Sequence, residues 1–460
     1  MRTQCVTILV AACVFAASAV EVTVDPKSVV GDVKPVNGVN NMPMMGFNYA
    51  MFRYLEEAEV PFCRLHDTGG PYGGSRYVDI PNVFRNFDAD ENDPASYDFA
   101  HTDLLLAEMQ KRGLKPLYRL GVTIDHSPVK KYFVDPPKDF AKWARICEHV
   151  ILHYNEGWAN GFRYGIKYWE IWNEPDATPF PDRSVMWRGT WQQFEEFYAT
   201  AARHLKAKFP HLKIGGYGAS SVVAALGWND SYGTNLKYHY HLACFKRFVE
   251  FVRDSRGTVP VDFFSFHTYS GINKATEGCE GILAQVEYVR KTWADAGFPD
   301  MEIILDEWMP RPDHKRLGTA EQASEIAASL ALMQNSTLDA AALYEATVGL
   351  SKYSPLFSPL TREPHRAYYA FTAFRDLRRL GKAVKVSDDG VHGRAVAASD
   401  GSRFAVLVTN FSDKEEPLRL NVLGGKVEKC RLTDEEHIDE EVALPAALPP
   451  YSFVIASGSL

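Results

Sequence analysis

Two glutamates lie near the ends of apolar segments that are far apart in the sequence. Glu174 follows the apolar segment Ile166–Trp172, and Pro175 directly after it prevents that segment from continuing as a strand. Glu307 lies at the end of a second apolar segment, Glu302–Trp308. Two carboxyl groups that face each other across a cleft can protonate a leaving oxygen and attack a sugar carbon or activate water, which is the minimum that glycoside hydrolysis requires. The two residues are therefore a candidate acid/base and a candidate nucleophile.

Both neighbours of Glu307 are also candidates for the site. Asp306 precedes Glu307, and side chains alternate between the faces of a strand, so we expect only one of these two carboxylates to point into a pocket. Trp308 follows Glu307, and because sugar rings stack on aromatic faces we expect Trp308 to line a subsite.

Further polar side chains lie at the ends of two other apolar segments. Arg64 shares a strand face with His66, and His267 shares one with Tyr269. A buried arginine requires a carboxylate partner, and a histidine and a tyrosine on one face of a strand end favour a pocket over a core position. His126, His239 and His241 lack the spacing with acids on a helix that metal ligands show, and the sequence predicts neither a metal ion nor an organic cofactor.

Eight short apolar segments alternate with helical segments between residues 35 and 380. The predicted strands are Pro35–Val39, Phe62–His66, Lys115–Leu120, Ile166–Trp172, Leu212–Tyr217, Asp262–Tyr269, Glu302–Trp308 and Ala340–Glu345. The predicted helices include Thr190–Phe209, which starts with a capping box, Thr319–Met333 and His365–Leu380. Eight strand–helix units are typical of a (β/α)₈ barrel, whose active site lies at the carboxyl ends of the strands. The alternative, an open doubly wound sheet, is disfavoured because no early strand is followed by a G-x-G-x-x-G turn.

The pattern changes after Gly381 to short strands separated by turns. The predicted strands are Ala383–Val386, His392–Ala398, Arg403–Thr409, Pro417–Leu420, Lys426–Leu432 and Tyr451–Ala456. They indicate a small antiparallel β-sandwich domain, which the segment Val20–Val33 could join. The predicted organisation is a signal peptide over residues 1–19, an N-terminal strand region over 20–34, the catalytic barrel over 35–381 and the β-sandwich domain over 382–460.

The first residues have the pattern of a secretory signal. Arg2 precedes an apolar stretch that is too short to span a bilayer, and Ala17-Ser18-Ala19 offers a cleavage site for signal peptidase. The alternative, lipid attachment at Cys13, is disfavoured because the residues after it stay apolar. We therefore expect a secreted or periplasmic protein without a membrane span.

The composition excludes several classes of protein. The chain of 460 residues is 46% hydrophobic and 23% charged with a net charge of −8, and no block of basic residues gives it the footprint of a nucleic-acid-binding protein. Five cysteines follow residue 19, without a C-x-x-C pair, so we expect mostly buried free thiols rather than a zinc site or a disulfide scaffold.

The ordered strand-end motifs resemble those of clan A glycoside hydrolases, and more narrowly family 39, which includes β-xylosidases and α-L-iduronidases. Asn173-Glu174-Pro175 follows the fourth predicted strand, His267-Thr268-Tyr269 the sixth, and Glu307 the seventh. Further matching motifs are Gly38-Val39-Asn40-Asn41, Arg64-Leu65-His66 and Pro364-His365-Arg366-Ala367-Tyr368-Tyr369-Ala370-Phe371. The resemblance covers about residues 35–380, and the flanking β segments match the accessory β-sandwich of that family.

This resemblance implies a retaining double displacement with Glu174 as acid/base and Glu307, rather than Asp306, as nucleophile. It implies that Asn173 binds the sugar 2-hydroxyl, that Tyr269 orients Glu307, and that His66 and His267 lie in the pocket of the non-reducing sugar. Arg64 would hold Glu307 ionised.

The sequence departs from the xylosidase pattern in Asp67-Thr68-Gly69-Gly70 and in Tyr344, which stands where a tryptophan is expected. The substrate is accordingly open. A pentoside, such as a β-xyloside or an arabinoside within a glycan, is the first choice, an iduronidase-like or other clan A activity is the alternative, and a non-catalytic carbohydrate-binding barrel is the alternative from another class. For the acids, we expect Arg64 to lower the pKa of Glu307, and apolar surroundings to raise the pKa of Glu174.

Overall fold

The computed structural model describes residues 20–43, 49–67, 76–127, 129, 132–227, 235–269, 278–388 and 393–460. The predicted signal peptide and the Cys13 alternative lie outside the described residues. The strands in chain order are β1 (Val20–Asp32), β2 (Gly38–Asn40), β3 (Phe62–Leu65), β4 (Lys115–Leu120), β5 (Tyr168–Ile171), β6 (Lys213–Ala219), β7 (Phe263–Thr268), β8 (Glu302–Trp308), β9 (Ala340–Leu343), β10 (Lys382–Asp388), β11 (Gly393–Ser399), β12 (Arg403–Asn410), β13 (Glu416–Val422), β14 (Lys426–Thr433), β15 (Glu440–Val442), β16 (Ala447–Leu448) and β17 (Ser452–Ser459).

Strands β2 to β9 form a closed parallel barrel in sequence order, as predicted. The α-helices of the described residues are α1 (Phe52–Glu57), α2 (Ile80–Val83), α3 (Ala100–Lys111), α4 (Phe140–Asn155), α5 (Trp191–Lys208), α6 (Leu236–Asp254), α7 (Gly278–Asp295), α8 (Ala320–Gln334) and α9 (Arg366–Leu380). The barrel strands are buried almost throughout, which explains why they read as continuous apolar runs rather than alternating ones.

The local signals that delimit the helices act as the sequence indicates. Thr190 accepts a hydrogen bond from the backbone N–H of Gln193 at 3.1 Å, and Gln193 Oε1 accepts one from the N–H of Thr190 at 2.8 Å. This reciprocal capping box starts α5. No helix of the described residues is long and apolar enough to cross a membrane.

The remaining strands form a nine-stranded sheet in the order β15-β14-β17-β12-β11-β10-β1-β13-β16. The pairing is antiparallel except between β1 and β13, which run parallel. The N-terminal segment therefore joins the C-terminal domain, as predicted, and its place between β10 and β13 makes the sheet mostly rather than wholly antiparallel. The short strands β15 and β16 were not predicted, since each is only two or three residues long.

The two faces of this sheet have different partners. Side chains on one face, such as Val396, Leu407 and Phe453, belong to the same hydrophobic core as the barrel helices. Those at alternating positions, such as Ala397 and Val406, belong to a second core that the β domain forms by itself. The five cysteines after residue 19 are buried free thiols, as expected.

Candidate active site

The two candidate glutamates meet at the carboxyl-terminal end of the barrel. Glu174 follows β5, and its backbone N–H donates to the carbonyl of Gly218 at 2.9 Å. Glu307 lies on β8, and one of its carboxylate oxygens lies within 4.8 Å of one from Glu174. Retaining glycosidases hold their carboxyl groups about 5–5.5 Å apart and inverting ones about 6.5–9.5 Å apart. The observed approach matches the shorter spacing.

Arg64, on β3, connects the acidic groups of the site and is fully buried. Its Nε lies 2.7 Å from Glu170 Oε2 and 2.8 Å from Asp306 Oδ2. Its Nη1 donates to Glu307 Oε1 at 2.7 Å, and its Nη2 donates to Asn173 Oδ1 at 2.7 Å. The predicted pairing of Arg64 with Glu307 is thus present, and the guanidinium also orients Asn173.

Both Asp306 and Glu307 point into the barrel, so the expectation that only one could do so is wrong. Phe266 on β7 pairs with Leu305 on β8, and the next residue, His267, pairs with Glu307. Asp306 is therefore the extra residue of a β-bulge, which interrupts the alternation of side chains. The bulge brings two carboxylates from one strand against a single arginine.

Trp308 does not line a sugar subsite. Its side chain is completely buried and belongs to the hydrophobic core of the barrel. Because the bulge directs both preceding side chains into the barrel, the alternation that follows turns Trp308 away from it. The prediction for Trp308 is wrong, and the tryptophan next to the candidate nucleophile is a packing residue.

His267 and Tyr269 contact the two candidate catalytic carboxylates. The Nδ1 of His267 lies 2.8 Å from Glu174 Oε1 and 3.5 Å from Glu307 Oε2. The hydroxyl of Tyr269 donates to Glu307 Oε2 at 2.5 Å. Gly218 packs so closely here that an added Cβ would lie 3.2 Å from the Nε2 of His267. The site therefore holds both predicted residues against the glutamates.

His66 lies on the other side of Glu307. Its Nδ1 accepts a hydrogen bond from Arg119 Nε at 3.2 Å, while its Nε2 lies 3.3 Å from Asp67 Oδ1 and 4.0 Å from Glu307 Oε1. Burial, together with the charges of Arg119 and Arg64, lowers the pKa of His66 well below its ordinary value. His66 is therefore a neutral imidazole with one N–H directed toward the carboxylates.

The pKa shifts of the two glutamates are opposite to those predicted. Burial raises the pKa of Glu307, although His267 and Arg64 act against it. Burial also disfavours the charged form of Glu174, but the hydrogen bond and charge of His267 outweigh it and lower the pKa of Glu174. The adjacent sequence of Glu174 gave no sign of this partner, because His267 comes from a different strand.

A second pair of acids, Glu170 and Asp306, lies beneath the two glutamates. Glu170 on β5 is fully buried, and burial raises its pKa to about 8, although the charge of Arg64 acts in the opposite direction. Glu170 also accepts a hydrogen bond from Ser265 Oγ at 2.5 Å. At neutral pH Glu170 is therefore mostly protonated, and Asp306 beside it carries the negative charge that balances Arg64.

Four residues that were not selected from the sequence as site residues complete this end of the barrel: Asn41, Asp67, Tyr344 and Glu345. The hydroxyl of Tyr344 donates to Asp67 Oδ2 at 2.8 Å, and the ring of Tyr344 lies edge-on to that of Tyr269, with centroids 6.2 Å apart. Glu345 accepts a hydrogen bond from Asn41 Nδ2 at 3.0 Å. Their positions at, or within two residues of, the ends of predicted strands were the signal that could have identified them.

Three possible metal ligands, Glu174, His267 and Glu307, lie within 4.8 Å of one another. Burial disfavours a charged imidazole, but Glu307 and Asp306 outweigh burial and raise the pKa of His267 well above its ordinary value. A doubly protonated imidazole has no lone pair for a metal ion. The cluster therefore fits proton transfer better than metal binding.

The closed parallel barrel, with paired glutamates at the ends of its fourth and seventh strands, is that of a clan A glycoside hydrolase. The family model described as "Glycosyl hydrolases family 39" matches residues 74–338, which is more than half of the chain. The chain belongs to glycoside hydrolase family 39.

Two curated relatives are β-xylosidases. That of Geobacillus stearothermophilus is 26% identical over 267 residues, which cover 51% of this chain and 47% of the relative. That of Caldicellulosiruptor saccharolyticus is 22% identical over 408 residues, which cover 80% of this chain and 74% of the relative. The chain thus matches about half the length of the first of these relatives and about three quarters of the second.

Solved structures share the complete architecture. A glucosidase from Croceicoccus marinus superposes with a TM-score of 0.72 at 20% identity, over 96% of this chain and 99% of that one. A family 39 β-xylosidase from Caulobacter crescentus gives 0.67 at 17% identity, over 96% and 100%. An α-L-arabinofuranosidase from Thermotoga maritima gives 0.63 at 15% identity, over 96% and 100%. At these identities the likeness concerns the fold.

Proposed function

We propose that the protein is a retaining, exo-acting glycosidase in which Glu307 is the nucleophile and Glu174 the acid/base. The observation that carries this proposal is the approach of the two carboxylates to within 4.8 Å at the active end of the barrel. In the first step Glu307 attacks the anomeric carbon while Glu174 protonates the leaving oxygen. In the second step Glu174 takes a proton from water, which then displaces Glu307 from the glycosyl-enzyme.

The neighbours of the two glutamates support these roles. Glu307 receives hydrogen bonds from Arg64 and Tyr269, which fix both of its oxygens and stabilise the ionised form that attacks. Asn173 has its Oδ1 occupied by Arg64, so its Nδ2 is left to donate to a sugar hydroxyl. This orientation agrees with the proposed contact between Asn173 and the 2-hydroxyl group.

We propose a neutral pentoside, with a β-xyloside ahead of an arabinoside, as the substrate. The two β-xylosidase relatives favour this choice. Asp67 and Glu345 are acidic side chains near Glu307, and burial raises the pKa of both, that of Glu345 to about 7. These surroundings already disfavour negative charge, and an anionic sugar would add a further buried one. The site therefore favours a sugar without a carboxylate. Arg119 is fully buried and paired with Asp79 at 2.6 Å, which disfavours it as a partner for a uronate.

A panel of aryl glycosides tests the activity and the substrate together. We expect release of the aryl group from the β-xyloside at the highest kcat/KM, weaker turnover of the α-L-arabinofuranoside, and none of the α-L-iduronide. Proton NMR of the first-formed sugar should show the anomer of the substrate. An inverted anomer would contradict the nucleophile role of Glu307, and binding of xylose or xylobiose without turnover of any glycoside would support a carbohydrate-binding protein instead.

We also propose that residues 1–19 are a secretory signal that is cleaved after Ala19. The support is the sequence pattern of Arg2, the short apolar stretch and Ala17-Ser18-Ala19. Expression with the native N-terminus in a secreting host, followed by N-terminal sequencing of the exported protein, should give Val20 as the first residue. A lipid-modified cysteine at that terminus would instead support processing at Cys13.

A further inference from the structure

His267 lies between the candidate acid/base and the extra carboxylate of the β-bulge. Its Nδ1 lies 2.8 Å from Glu174 Oε1, and its Nε2 lies 3.6 Å from Asp306 Oδ2. The imidazole and Asp306 are both fully buried; within the described residues Nε2 of His267 has no hydrogen-bond partner, while Asp306 Oδ2 also lies 2.8 Å from Arg64 Nε. The ring therefore connects one carboxylate on each side through its two nitrogens.

The charges around the imidazole favour its protonated form. Glu174 from the end of β5, and Asp306 and Glu307 from β8, face the ring with oxygens at 2.8, 3.6 and 3.5 Å. The cationic or titratable groups that oppose them are Arg64 on β3, His66 after β3 and His241 on α6.

The carboxylates around His267 outweigh the cationic groups that oppose them. Burial lowers the pKa of both His66 and His241, so these two imidazoles are neutral at neutral pH. The charge of Arg64 is offset by the carboxylates of Asp306 and Glu307, which it contacts at 2.8 and 2.7 Å.

The geometry points to a store for the catalytic proton. We propose that, before substrate binds, the proton that Glu174 will donate to the leaving group is held on Nδ1 of His267, and that Asp306 is the positioning residue that keeps it there. This inference rests on the proposed role of Glu174. It explains how Glu174 can be ionised in the free enzyme and still act as an acid: the proton that it donates is held on the hydrogen-bonded Nδ1 of His267.

The proton transfer is balanced within the pair. In the free enzyme His267 is an imidazolium and Glu174 a carboxylate. When a glycosidic oxygen approaches Glu174, the Nδ1 proton moves to Glu174 Oε1, which leaves a neutral imidazole that keeps its proton on Nε2, facing Asp306. Glu174 then donates the proton to the leaving oxygen as the C–O bond breaks. Asp306 thus selects the tautomer that releases the correct proton.

This arrangement changes the meaning of the pH–rate profile. The pair is competent as long as it carries one proton, and the apparent pKa values belong to the pair rather than to either residue. The alkaline limb of kcat/KM should therefore follow the loss of a proton from His267, above the ordinary pKa of histidine. If Glu174 held its proton independently, its lowered pKa would place that limb below pH 4.5.

The first experiment measures the proton on His267 directly. The full chain, labelled with ¹⁵N-histidine, is titrated by NMR without substrate, and the signal of His267 is assigned from its absence in His267→Gln. We expect both ring nitrogens of His267 to carry protons at pH 7. A single protonated nitrogen at pH 7 would overturn the proposal, and this measurement needs no folded variant other than the one used for assignment.

The second experiment separates the effect of Asp306 on His267 from its effect on Arg64. Asp306→Asn removes a negative charge that faces both His267 and Arg64. Glu170→Gln changes a group that contacts the same Nε of Arg64 but does not face His267. We expect Asp306→Asn to lower the pKa of His267, and with it the alkaline limb for an aryl xyloside with a poor leaving group, by about 1–3 pH units. Glu170→Gln should leave the pKa of His267 and the pH of the alkaline limb unchanged, whatever its effect on the rate.

The outcomes distinguish this inference from the proposed function. Equal shifts of the His267 titration in both variants, or none in Asp306→Asn, would overturn the role of Asp306. A substrate with an activated leaving group needs no proton, so its kcat/KM should lose the alkaline limb. If no glycoside is hydrolysed at all, the proposed function fails, whereas the NMR result still decides whether His267 holds a proton between itself and Glu174 and whether Asp306 keeps it there.

Discussion

The two glutamates of this site have different pKa shifts because they have different hydrogen-bond partners. Among the described residues, the carboxylate of Glu307 accepts hydrogen bonds from Arg64 and Tyr269, whereas that of Glu174 is hydrogen-bonded to His267. Burial raises the pKa of Glu307, and His267 lowers that of Glu174 in the free protein. The acidic limb of the rate profile should therefore report the protonation of Glu307, which must be ionised to attack, and the limb on the alkaline side should report the pair of Glu174 and His267.

The assignment of the nucleophile predicts a specific chemical rescue. Glu307→Ala should lower kcat for an aryl xyloside by at least about 10³-fold, because no group remains to form the glycosyl-enzyme. Added azide should restore turnover and give a glycosyl azide of inverted anomeric configuration, since the small anion occupies the space of the lost carboxylate. Asp306→Ala is the matched control from the same bulge and should show no azide product. A rescue of Asp306→Ala instead would exchange the roles of the two residues.

The hydroxyl of Tyr269 predicts a shift of the acidic limb. It donates to Glu307 Oε2 at 2.5 Å and stabilises the carboxylate over the carboxylic acid. Tyr269→Phe should therefore raise the pKa of Glu307 and move the acidic limb of kcat/KM to higher pH by about 1–2 units, since a hydrogen bond to a charged group contributes about 1.5–3 kcal/mol.

The matched control for Tyr269→Phe is Tyr353→Phe, because the ring of Tyr353 packs against Tyr269 with centroids 5.2 Å apart. We expect this variant to keep the acidic limb in place. An unchanged limb in Tyr269→Phe, measured over the same pH range, would show that its hydroxyl does not stabilise the ionised Glu307.

At the scale of elements, the order of the strands could be predicted and the irregularity within one strand could not. The bounds of β4 and β8 agree with the prediction, because continuous apolar runs of this length between helices have few alternative structures. The bulge at Asp306 depends on the pairing of β8 with β7, which a single strand sequence does not contain. The errors at Asp306 and Trp308 have this one cause.

The pKa directions failed for a related reason. The prediction for Glu174 considered the residues beside it in sequence, whereas the decisive charge comes from His267, two strands further along the barrel. Arg64 was expected to act on Glu307 alone, but it also faces Glu170 and Asp306, so its charge is divided. Residue types at strand ends thus predict which groups meet, and the charge state of each group depends on all of them together.

The bulge also predicts the behaviour of Trp308. Its side chain is completely buried in the barrel core, and its indole N–H has no hydrogen-bond partner in the described structure. Trp308→Phe should therefore lower the free energy of unfolding by about 1–3 kcal/mol while KM for an aryl xyloside changes less than about twofold. Phe180→Leu, at a side chain that is 47% exposed, is the control and should change neither. A large rise in KM without loss of stability would restore Trp308 as a sugar-binding residue.

At the scale of the whole molecule, the β domain and the barrel share one hydrophobic core. Helices α8 and α9 pack on β11, β12 and β17, so side chains of the sheet fill part of the core that surrounds the barrel. Removing the sheet would expose that apolar face to water. Residue 381 therefore marks the change from the barrel to the sheet but does not separate two independent hydrophobic cores. We expect the barrel and the β domain to unfold as one cooperative unit.

Phe453→Ala tests this coupling at a position inside the β domain. Phe453 is 2% exposed and belongs to the core shared with the barrel, so the truncation should lower the free energy of unfolding by about 3–5 kcal/mol. All nine tryptophans lie between residues 143 and 308, within the barrel segment, so tryptophan fluorescence reports unfolding of the barrel alone. We expect the urea midpoint measured by fluorescence to fall together with the midpoint measured by far-UV circular dichroism.

Leu423→Ala, at a side chain that is 47% exposed in the same domain, is the control and should leave both midpoints in place. If Phe453→Ala shifted only part of the circular dichroism signal and left the fluorescence midpoint unchanged, the β domain would unfold independently of the barrel.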